Sequence, residues 1–214
     1  MACGAMAAQS AVNRWVIGSN PITPAKRYCN YCRNGIVMDT RNVIDFYKYW
    51  ENEAIIADLD SKRNEFVVAV ERVNGDFNFS TVIRNCNAFL ARKVYRAGKR
   101  QYDKRGTVGT HHYEHVDYID NITSLIDKYR TEDYRIVAID NVDNSQDIRS
   151  YQWESKSFML FGEEGRGLSQ EAIDMCDDIV YIPQFGSVRS LNLGTASGLA
   201  MYDYACKVLT PALV

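Results

Sequence analysis

The chain has 214 residues, a length at which a folded chain usually closes a single core, and this argues against two full-size domains. Its hydrophobic fraction of 46% and charged fraction of 24% exclude a disordered, collagen-like or coiled-coil protein. No apolar run is long enough to span a bilayer, and the N-terminal residues lack the pattern of a cleaved presequence. We therefore expect a cytoplasmic protein with no membrane partner.

The N-terminal segment, residues 1–37, has no helical or strand periodicity, and we expect it to be irregular. Residues 17–22, Ile-Gly-Ser-Asn-Pro-Ile, can be encoded by a sequence whose ends, ATCGG and CCGAT, are complementary around a short loop. The T-arm of a transfer-RNA gene has this form. We therefore hypothesise that residues 1–37 are mis-annotated upstream translation and that translation starts at Met38.

From residue 38 onward the apolar pattern predicts alternating helices and strands. Residues 38–64 form a predicted N-terminal helical extension, and residues 65–214 a single domain. In chain order we expect a helix at 41–58, a strand at 66–70, a helix at 80–90, a strand around Val94, a helix at 122–129, strands at 134–139 and 158–161, a helix at 169–176, a strand at 179–182 and a helix at 195–209. Strands separated by helices predict an α/β fold with a mostly parallel sheet and helices on both faces.

The net charge of −2 is unevenly distributed. Residues 92–105 carry seven bases and one acid, so this basic island has a charge of +6 and the rest of the chain −8. Clustered bases attract polyanions even when the overall charge is low, although a solvated loop with ordinary surface lysines explains the pattern equally well.

The cysteines and histidines give weak metal signals. Cys29 and Cys32 form a CxxC motif, but no second pair follows at zinc-finger spacing. His111, His112 and His115 form an HHxxH cluster without the glutamate of HExxH. We expect reduced thiols, no metal site, and a solvent-facing or RNA-facing loop at the histidines.

Two glycine-bearing loops follow predicted strands near the C-terminus. Residues 162–169 read GEEGRGLS, and residues 182–194 read IPQFGSVRSLNLG. Neither loop is a dinucleotide fingerprint or a P-loop. Ligands of open α/β sheets bind beyond the carboxyl ends of strands, so we expect the chemistry here.

Together these loops resemble the second and third signature motifs of the SpoU (TrmH-like) branch of the SPOUT methyltransferases. The matching positions are Gly162, Glu164, Gly167-Leu168-Ser169, Ile182-Pro183, Gly186 and Ser190-Leu191-Asn192. The family's first motif, an Asn followed six residues later by an Arg, is matched by Asn78 and Arg84. The resemblance covers residues 66–209. Leu193-Gly194 stands in place of the usual Val-Ser, and Asn87 stands where Asp is common.

The resemblance implies a fold, a cofactor and an oligomeric state. The C-terminal loops would form a trefoil knot that binds S-adenosyl-L-methionine. The cofactor would lie against Gly162, Ile182, Leu191, Leu160, Gly167 and Gln184. The protein would be a homodimer through the knot and the C-terminal helix, and Arg84 would act near the partner's site.

The implied reaction is methyl transfer to a ribose 2′-hydroxyl of RNA, with tRNA favoured over rRNA. Because a guanidinium stays protonated in proteins, we assign Arg84 to orienting the ribose and stabilising the developing alkoxide rather than to acting as a base. The predicted catalytic residues are Arg84, Asn78, Glu164, Ser190 and Asn192. The predicted RNA-binding residues are Lys99, Arg100, Lys104 and Arg105.

Two other functions stay open on the sequence. The first is a catalytically silent, RNA-binding knot dimer, and the second is a nucleotide-binding α/β enzyme with a different donor. Binding of S-adenosyl-L-methionine separates the methyltransferase from the second of these, and methylation of RNA separates it from the first.

Overall fold

A computed structural model of the protein describes residues 38–71, 76–98, 100–162, 165 and 167–209. The predictions for residues 1–37, including the CxxC motif, lie outside the described residues, as do those for Lys99 and Glu164.

The described strands form one sheet in which every pairing is parallel. The strands are β1 (Val67–Val70), β2 (Lys93–Ala97), β3 (Val116–Ile119), β4 (Arg135–Ile139), β5 (Gln146–Asp147), β6 (Ser157–Phe161) and β7 (Asp178–Tyr181). Their order across the sheet is β3-β2-β1-β6-β4-β7-β5. The predicted α/β class with a parallel sheet is therefore confirmed.

Helices cover both faces of this sheet. They are α1 (Asn52–Asp60), α2 (Asp76–Ala88), α3 (Ile122–Thr131), α4 (Gln170–Asp174) and α5 (Leu193–Tyr204). Successive residues of a strand point to opposite faces, so Val68 and Val70 pack in a core with α2 and α5. Val67 and Ala69 pack in a second core with α3 and α4. No helix in the described part of the chain is long and apolar enough to cross a membrane.

The single helix predicted at 41–58 is wrong. The structure has a short 3-10 turn at Asp45–Tyr47, then α1, which begins at Asn52. Between them Tyr49 has a φ of 67°, a left-handed conformation that a helix does not contain. The carboxylate of Asp39 accepts the Tyr49 N–H at 2.8 Å and so holds this break.

The other predicted elements are present with shifted ends, but two edge strands were missed. Both β3, with alternating residues Val-Asp-Tyr-Ile, and the two-residue β5 lie at the edges of the sheet. Edge strands are less buried than central ones, so their apolar signal is weaker. The final predicted helix ends as α5 at Tyr204 and continues as a π-helical turn, Ala205–Leu209. The C-terminal trefoil knot stays a prediction.

A buried ion pair fixes α2 against the segment that follows α1. Arg63 donates to the Glu114 carboxylate at 2.9 Å, and the Glu114 side chain is fully buried. Arg63 also donates to the carbonyls of Ala91 and Tyr113. Burial raises the pKa of Glu114. Asn87, near the end of α2, donates its amide to the same carboxylate at 2.8 Å, so an Asp in its place would set two carboxylates together.

We therefore expect Asn87→Asp to lower the free energy of unfolding by about 1–3 kcal/mol, because a second carboxylate repels Glu114 in a buried site. The pair would hold a proton with a raised pKa in the folded state. The folded state then binds more protons than the unfolded state, and stability decreases as the pH rises. Urea unfolding at pH 5 and pH 7 measures both effects.

The double variant Asn87→Asp/Glu114→Gln restores a donor–acceptor pair and should recover most of the lost stability. Asn121→Asp is the matched control, because Asn121 caps the N-terminus of α3, where Asp serves as well. An Asn87→Asp protein as stable as the parent at pH 7 would contradict the explanation.

Candidate active site

A crevice of about 530 Å³ opens at the carboxyl ends of β6, β4 and β7, which are neighbours in the sheet. Parallel α/β sheets bind ligands at this edge, and the volume is that of a small-molecule site. The loops after these three strands supply most of the wall. The lining residues are Ile139, Asp140, Asn141, Val142, Phe161, Gly162, Gly165, Gly167, Leu168, Gln170, Ile173, Ile182, Gln184, Arg189, Ser190, Leu191, Leu193 and Ala196.

Two glycines allow the loop after β6 to fold back on itself. A Cβ on Gly162 would lie 2.2 Å from the carbonyl carbon of Gly167 and 2.4 Å from the Leu168 nitrogen. Gly167 has a φ of 67°, which glycine adopts without strain. The Asp140 carboxylate accepts the Leu168 N–H at 3.0 Å, so the loop after β4 holds the loop after β6.

A second carboxylate holds the end of the same loop. Glu71, the residue after β1, is buried and accepts both the N–H and the hydroxyl of Ser169 at 2.8 Å. Ser169 in turn caps α4, since its Oγ accepts the Ala172 N–H at 3.3 Å. The C-terminal end of this loop, Leu168 and Ser169, is therefore held by carboxylates that follow β4 and β1, the two strands next to β6.

The start of α5 brings the third motif against the first. The Asn192 side-chain amide donates to the side-chain oxygen Oδ1 of Asn78 at 2.9 Å. Two turns farther along α2, the Asn85 side chain donates to the backbone carbonyl of Gly194 at 2.8 Å. A Cβ on Gly194 would lie 2.7 Å from the Thr81 methyl carbon, so glycine permits this close helix contact. This contact explains why Gly194 departs from the usual Ser.

Five of the predicted cofactor residues line the crevice. They are Gly162, Gly167, Ile182, Gln184 and Leu191. Leu160 does not line the crevice, because its side chain is buried in the core between the sheet and helices α3 and α4, and its contact with the cofactor stays a prediction. The residues of β6 alternate between faces, and it is Phe161 that reaches the crevice.

The predicted catalytic residues that the structure describes occupy three places. Ser190 is exposed and lines the crevice. Asn78 and Asn192 form the hydrogen bond between α2 and α5. Arg84 lies farther along α2, exposed, outside the crevice wall and without a hydrogen bond or ion pair to any described residue.

Four polar residues of the crevice were not predicted from the sequence: Asp140, Asn141, Gln170 and Arg189. Asp140 and Asn141 directly follow the strand Arg135–Ile139, and polar residues at the carboxyl end of a buried parallel strand are a usable signal. Arg189 lies within the third motif and offered no separate signal.

Several basic residues of the basic island are already paired or buried within the protein. Arg92, Lys93 and Arg105 form ion pairs with Glu65, Asp117 and Asp103, and Arg96 is fully buried. Arg100 and Lys104 are exposed. The hydrogen bond from Arg105 lowers the pKa of Asp103, yet the Arg105 side chain stays 88% exposed.

The three histidines do not converge on one point. His111 lies 2.6 Å from the Thr107 hydroxyl, and His115 lies 2.8 Å from the Asp60 carboxylate. Burial, with His112 and Lys104 nearby, lowers the pKa of His111. Within the described ranges, no group of three or more His, Cys, Asp or Glu side chains could hold a metal ion.

The sequence model of the SpoU rRNA Methylase family matches residues 65–202. The chain belongs to the SpoU methylase family.

Curated relatives share about a quarter of their residues with this SpoU methylase. The tRNA (guanosine(18)-2′-O)-methyltransferase of Aquifex aeolicus is 26% identical over 149 residues, 68% of this chain and 71% of the relative. The enzyme of the same name from Escherichia coli strain K12 is 27% identical over 148 residues, 68% of this chain and 65% of the relative. The match thus spans slightly less than two thirds of the E. coli enzyme.

Solved structures share the fold. The TrmH/SpoU tRNA modifying enzyme of A. aeolicus has a TM-score of 0.66 at 23% identity, covering 73% of this chain and 83% of that chain. An AdoMet-bound rRNA methyltransferase from Sinorhizobium meliloti has a TM-score of 0.62 at 27% identity, covering 71% and 61%. The comparisons confirm the predicted family, the fold class and a methyltransferase whose cofactor is S-adenosyl-L-methionine.

We expect Gly162→Ala to raise the Kd for S-adenosyl-L-methionine by more than about tenfold, or about 1.4 kcal/mol, because the added Cβ displaces the Gly167 backbone. Isothermal titration measures the affinity. Gly186→Ala is the matched control, since a Cβ at Gly186, on the loop after β7, meets nothing within 4 Å. Equal loss in both variants would contradict the role of the Gly162 contact, and thermal unfolding checks that both proteins fold.

Proposed function

We propose that this SpoU methylase transfers a methyl group from S-adenosyl-L-methionine to a ribose 2′-hydroxyl of RNA, with tRNA as the favoured substrate, in the cytoplasm. The hydrogen bond between Asn78 and Asn192 carries this proposal, because it joins the polar face of α2 to the loop that closes the crevice. The names of the A. aeolicus and E. coli relatives support tRNA as the substrate.

The crevice suits the cofactor. The Gly162–Gly167 contact leaves backbone groups, not side chains, along one wall, and Ile182 and Leu191 supply apolar surface. Gln184 has a buried amide oxygen that accepts no hydrogen bond within the described chain. An N–H donor of the ligand, such as an adenine amino group, would satisfy it.

The polar residues of α2 and α5 would hold the ribose. When bound, S-adenosyl-L-methionine supplies the methyl group, and the products are the 2′-O-methyl ribose, S-adenosylhomocysteine and a proton. Arg84 stays protonated, so it would bind the adjacent phosphate and stabilise charge that develops on the attacking oxygen. Asn78 and Asn192 would position the sugar, and Ser190 and Glu164 would complete the network.

Lys99, Arg100, Lys104 and Arg105 would contact phosphates farther along the RNA.

Unmodified tRNA transcripts and radiolabelled cofactor test the function directly. The expected result is label in RNA at positions that resist alkaline cleavage, since 2′-O-methylation blocks attack by the ribose hydroxyl. Label in rRNA fragments but not in tRNA would overturn the substrate preference. RNA binding with no label in either RNA would favour the silent RNA-binding dimer.

Arg84→Ala should lower the methylation rate by about 100-fold or more, the effect of removing a donor that stabilises a developing oxyanion. Its affinity for the cofactor should be unchanged, because Arg84 does not line the crevice. Single-turnover methylation and isothermal titration measure the two quantities. Arg149→Ala is the matched control, since Arg149 is an exposed arginine after the edge strand β5. Equal loss of rate and cofactor affinity in Arg84→Ala would contradict the assigned role.

We also propose that the protein is a homodimer through the knot and α5. Leu199 and Tyr202 lie three residues apart on α5 and are 43% and 61% exposed, while the opposite side of the helix is buried against the sheet and α2. Apolar side chains left exposed on one face of a helix favour a contact with a second chain.

Leu199→Asp should convert the dimer to a monomer, because a carboxylate would be buried at the contact. Light scattering after size-exclusion chromatography measures the mass. The matched control is Ile44→Asp, which changes an apolar residue that is 58% exposed on the N-terminal extension. A Leu199→Asp protein that remains a dimer would place the interface elsewhere.

Mixing inactive variants tests whether Arg84 acts in the partner's site. A heterodimer of Arg84→Ala and Gly162→Ala subunits contains one site with an intact crevice and an intact Arg84 only if these groups come from different subunits. Methylation should therefore reappear on mixing after reversible dissociation. No recovery in confirmed heterodimers would place Arg84 in the site of its own subunit.

A further inference from the structure

Phe77 is an exposed aromatic side chain beside the proposed ribose site. It is the second residue of α2 and is 58% exposed. Its chain neighbour Asn78 forms the hydrogen bond to Asn192 at the start of α5. An exposed phenylalanine forgoes the free energy that burial of its ring would provide. A ligand that covers the ring at this junction would recover that free energy.

The loop Lys104–Thr107 holds one edge of the Phe77 ring. A Cβ on Gly106 would lie 3.3 Å and 3.4 Å from two carbons of that ring and 2.7 Å from the Ser80 Cβ, so glycine lets the loop lie directly on α2. The Ser80 hydroxyl donates to the Asp103 carbonyl and ties the loop to the helix. The ring is thereby held at one edge while most of its surface remains open.

Basic residues lie on the two elements that hold this ring. Lys104 and Arg105 lie in the same loop as Gly106, and both are exposed. Arg84 follows Phe77 by seven residues, which places both on one face of α2 about 10 Å apart along the helix axis. An aromatic ring near basic side chains suits a nucleic-acid strand. A nucleobase can stack on the ring while the phosphates contact the lysine and arginine side chains.

We propose that Phe77 is a stacking platform for an unpaired base of the RNA, next to the nucleotide whose ribose lies at Asn78 and Arg84. This inference rests on the proposed function and adds a requirement for single-stranded RNA at the target. Duplex RNA keeps its bases stacked on each other and cannot offer one to Phe77 without being opened.

Three substitutions at Phe77 separate stacking from simple apolar contact. The probes are a fluorescein-labelled single-stranded RNA decamer, the same decamer in a duplex, and unmodified tRNA transcripts. Phe77→Ala should raise the Kd for the single strand about 5- to 150-fold, the range for loss of one base–aromatic contact. Phe77→Leu should behave like Phe77→Ala, whereas Phe77→Trp should retain binding. The KM for tRNA should rise in the Ala and Leu variants, while the affinity for S-adenosyl-L-methionine and the dimer mass stay unchanged.

The Phe77→Trp variant supplies a direct signal. Stacking of a base on the new indole should quench its fluorescence on addition of the single strand, beyond any change in the parent protein. No added quenching would overturn the proposal, as would unchanged RNA affinity in Phe77→Ala.

Phe46→Ala is the matched control. Phe46 is also 58% exposed, but it lies on the N-terminal extension, where it packs against Tyr47 and Trp50. Equal loss of RNA affinity in Phe46→Ala and Phe77→Ala would show general aromatic contact and overturn the specific site. A lower dimer mass in Phe77→Ala would assign the ring to the subunit interface instead and also overturn the proposal.

Failure of the proposed function is distinguishable from failure of this inference. If the parent protein binds the single strand but methylates no RNA, and Phe77→Ala loses that binding, the stacking site stands and the enzymatic proposal fails. If the parent methylates tRNA and Phe77→Ala does so with the same KM, the stacking site fails and the enzymatic proposal stands.

Discussion

The backbone contact between Gly162 and Gly167 is the constraint on which the rest of the site depends. A side chain on Gly162 would occupy the space of the Gly167 carbonyl carbon, 2.2 Å away, so the loop can fold back only without one. Asp140 and Glu71 then hold this folded loop by accepting hydrogen bonds from Leu168 and Ser169. One wall of the crevice is therefore made of backbone, and two carboxylates that follow neighbouring strands fix it in place.

Close packing at a glycine also brings the first and third motifs together. Gly194 allows α5 to approach Thr81 on α2, and the asparagine side chains around that contact form hydrogen bonds across it. The ribose site proposed here therefore lies on a rigid helix pair next to the crevice. Such rigidity suits methyl transfer, in which the acceptor oxygen must lie in line with the methyl carbon before reaction. Phe77 and the Lys104–Thr107 loop extend the same surface, along which the proposed RNA strand would lie.

Two departures from the family pattern have physical explanations in this structure. Asn87 stands where Asp is common, and here its amide donates to the buried carboxylate of Glu114. Gly194 stands where Ser is usual, and here the Thr81 methyl group leaves no room for a side chain. In each case the substituted residue matches a neighbour that comes from a distant part of the chain, so no local pattern could have explained it.

The sequence by itself determined the parallel α/β fold and the positions of the glycine loops, because buried strands and tight turns leave strong local signals. It misplaced the helix at 41–58, since the break at Tyr49 depends on a carboxylate ten residues away. It did not show that strand alternation turns the Leu160 side chain into the core. Only the tertiary structure decided that Asp140 supports the crevice and that ion pairs engage part of the basic island. Such roles follow from contacts between residues far apart in the chain, which local composition does not record.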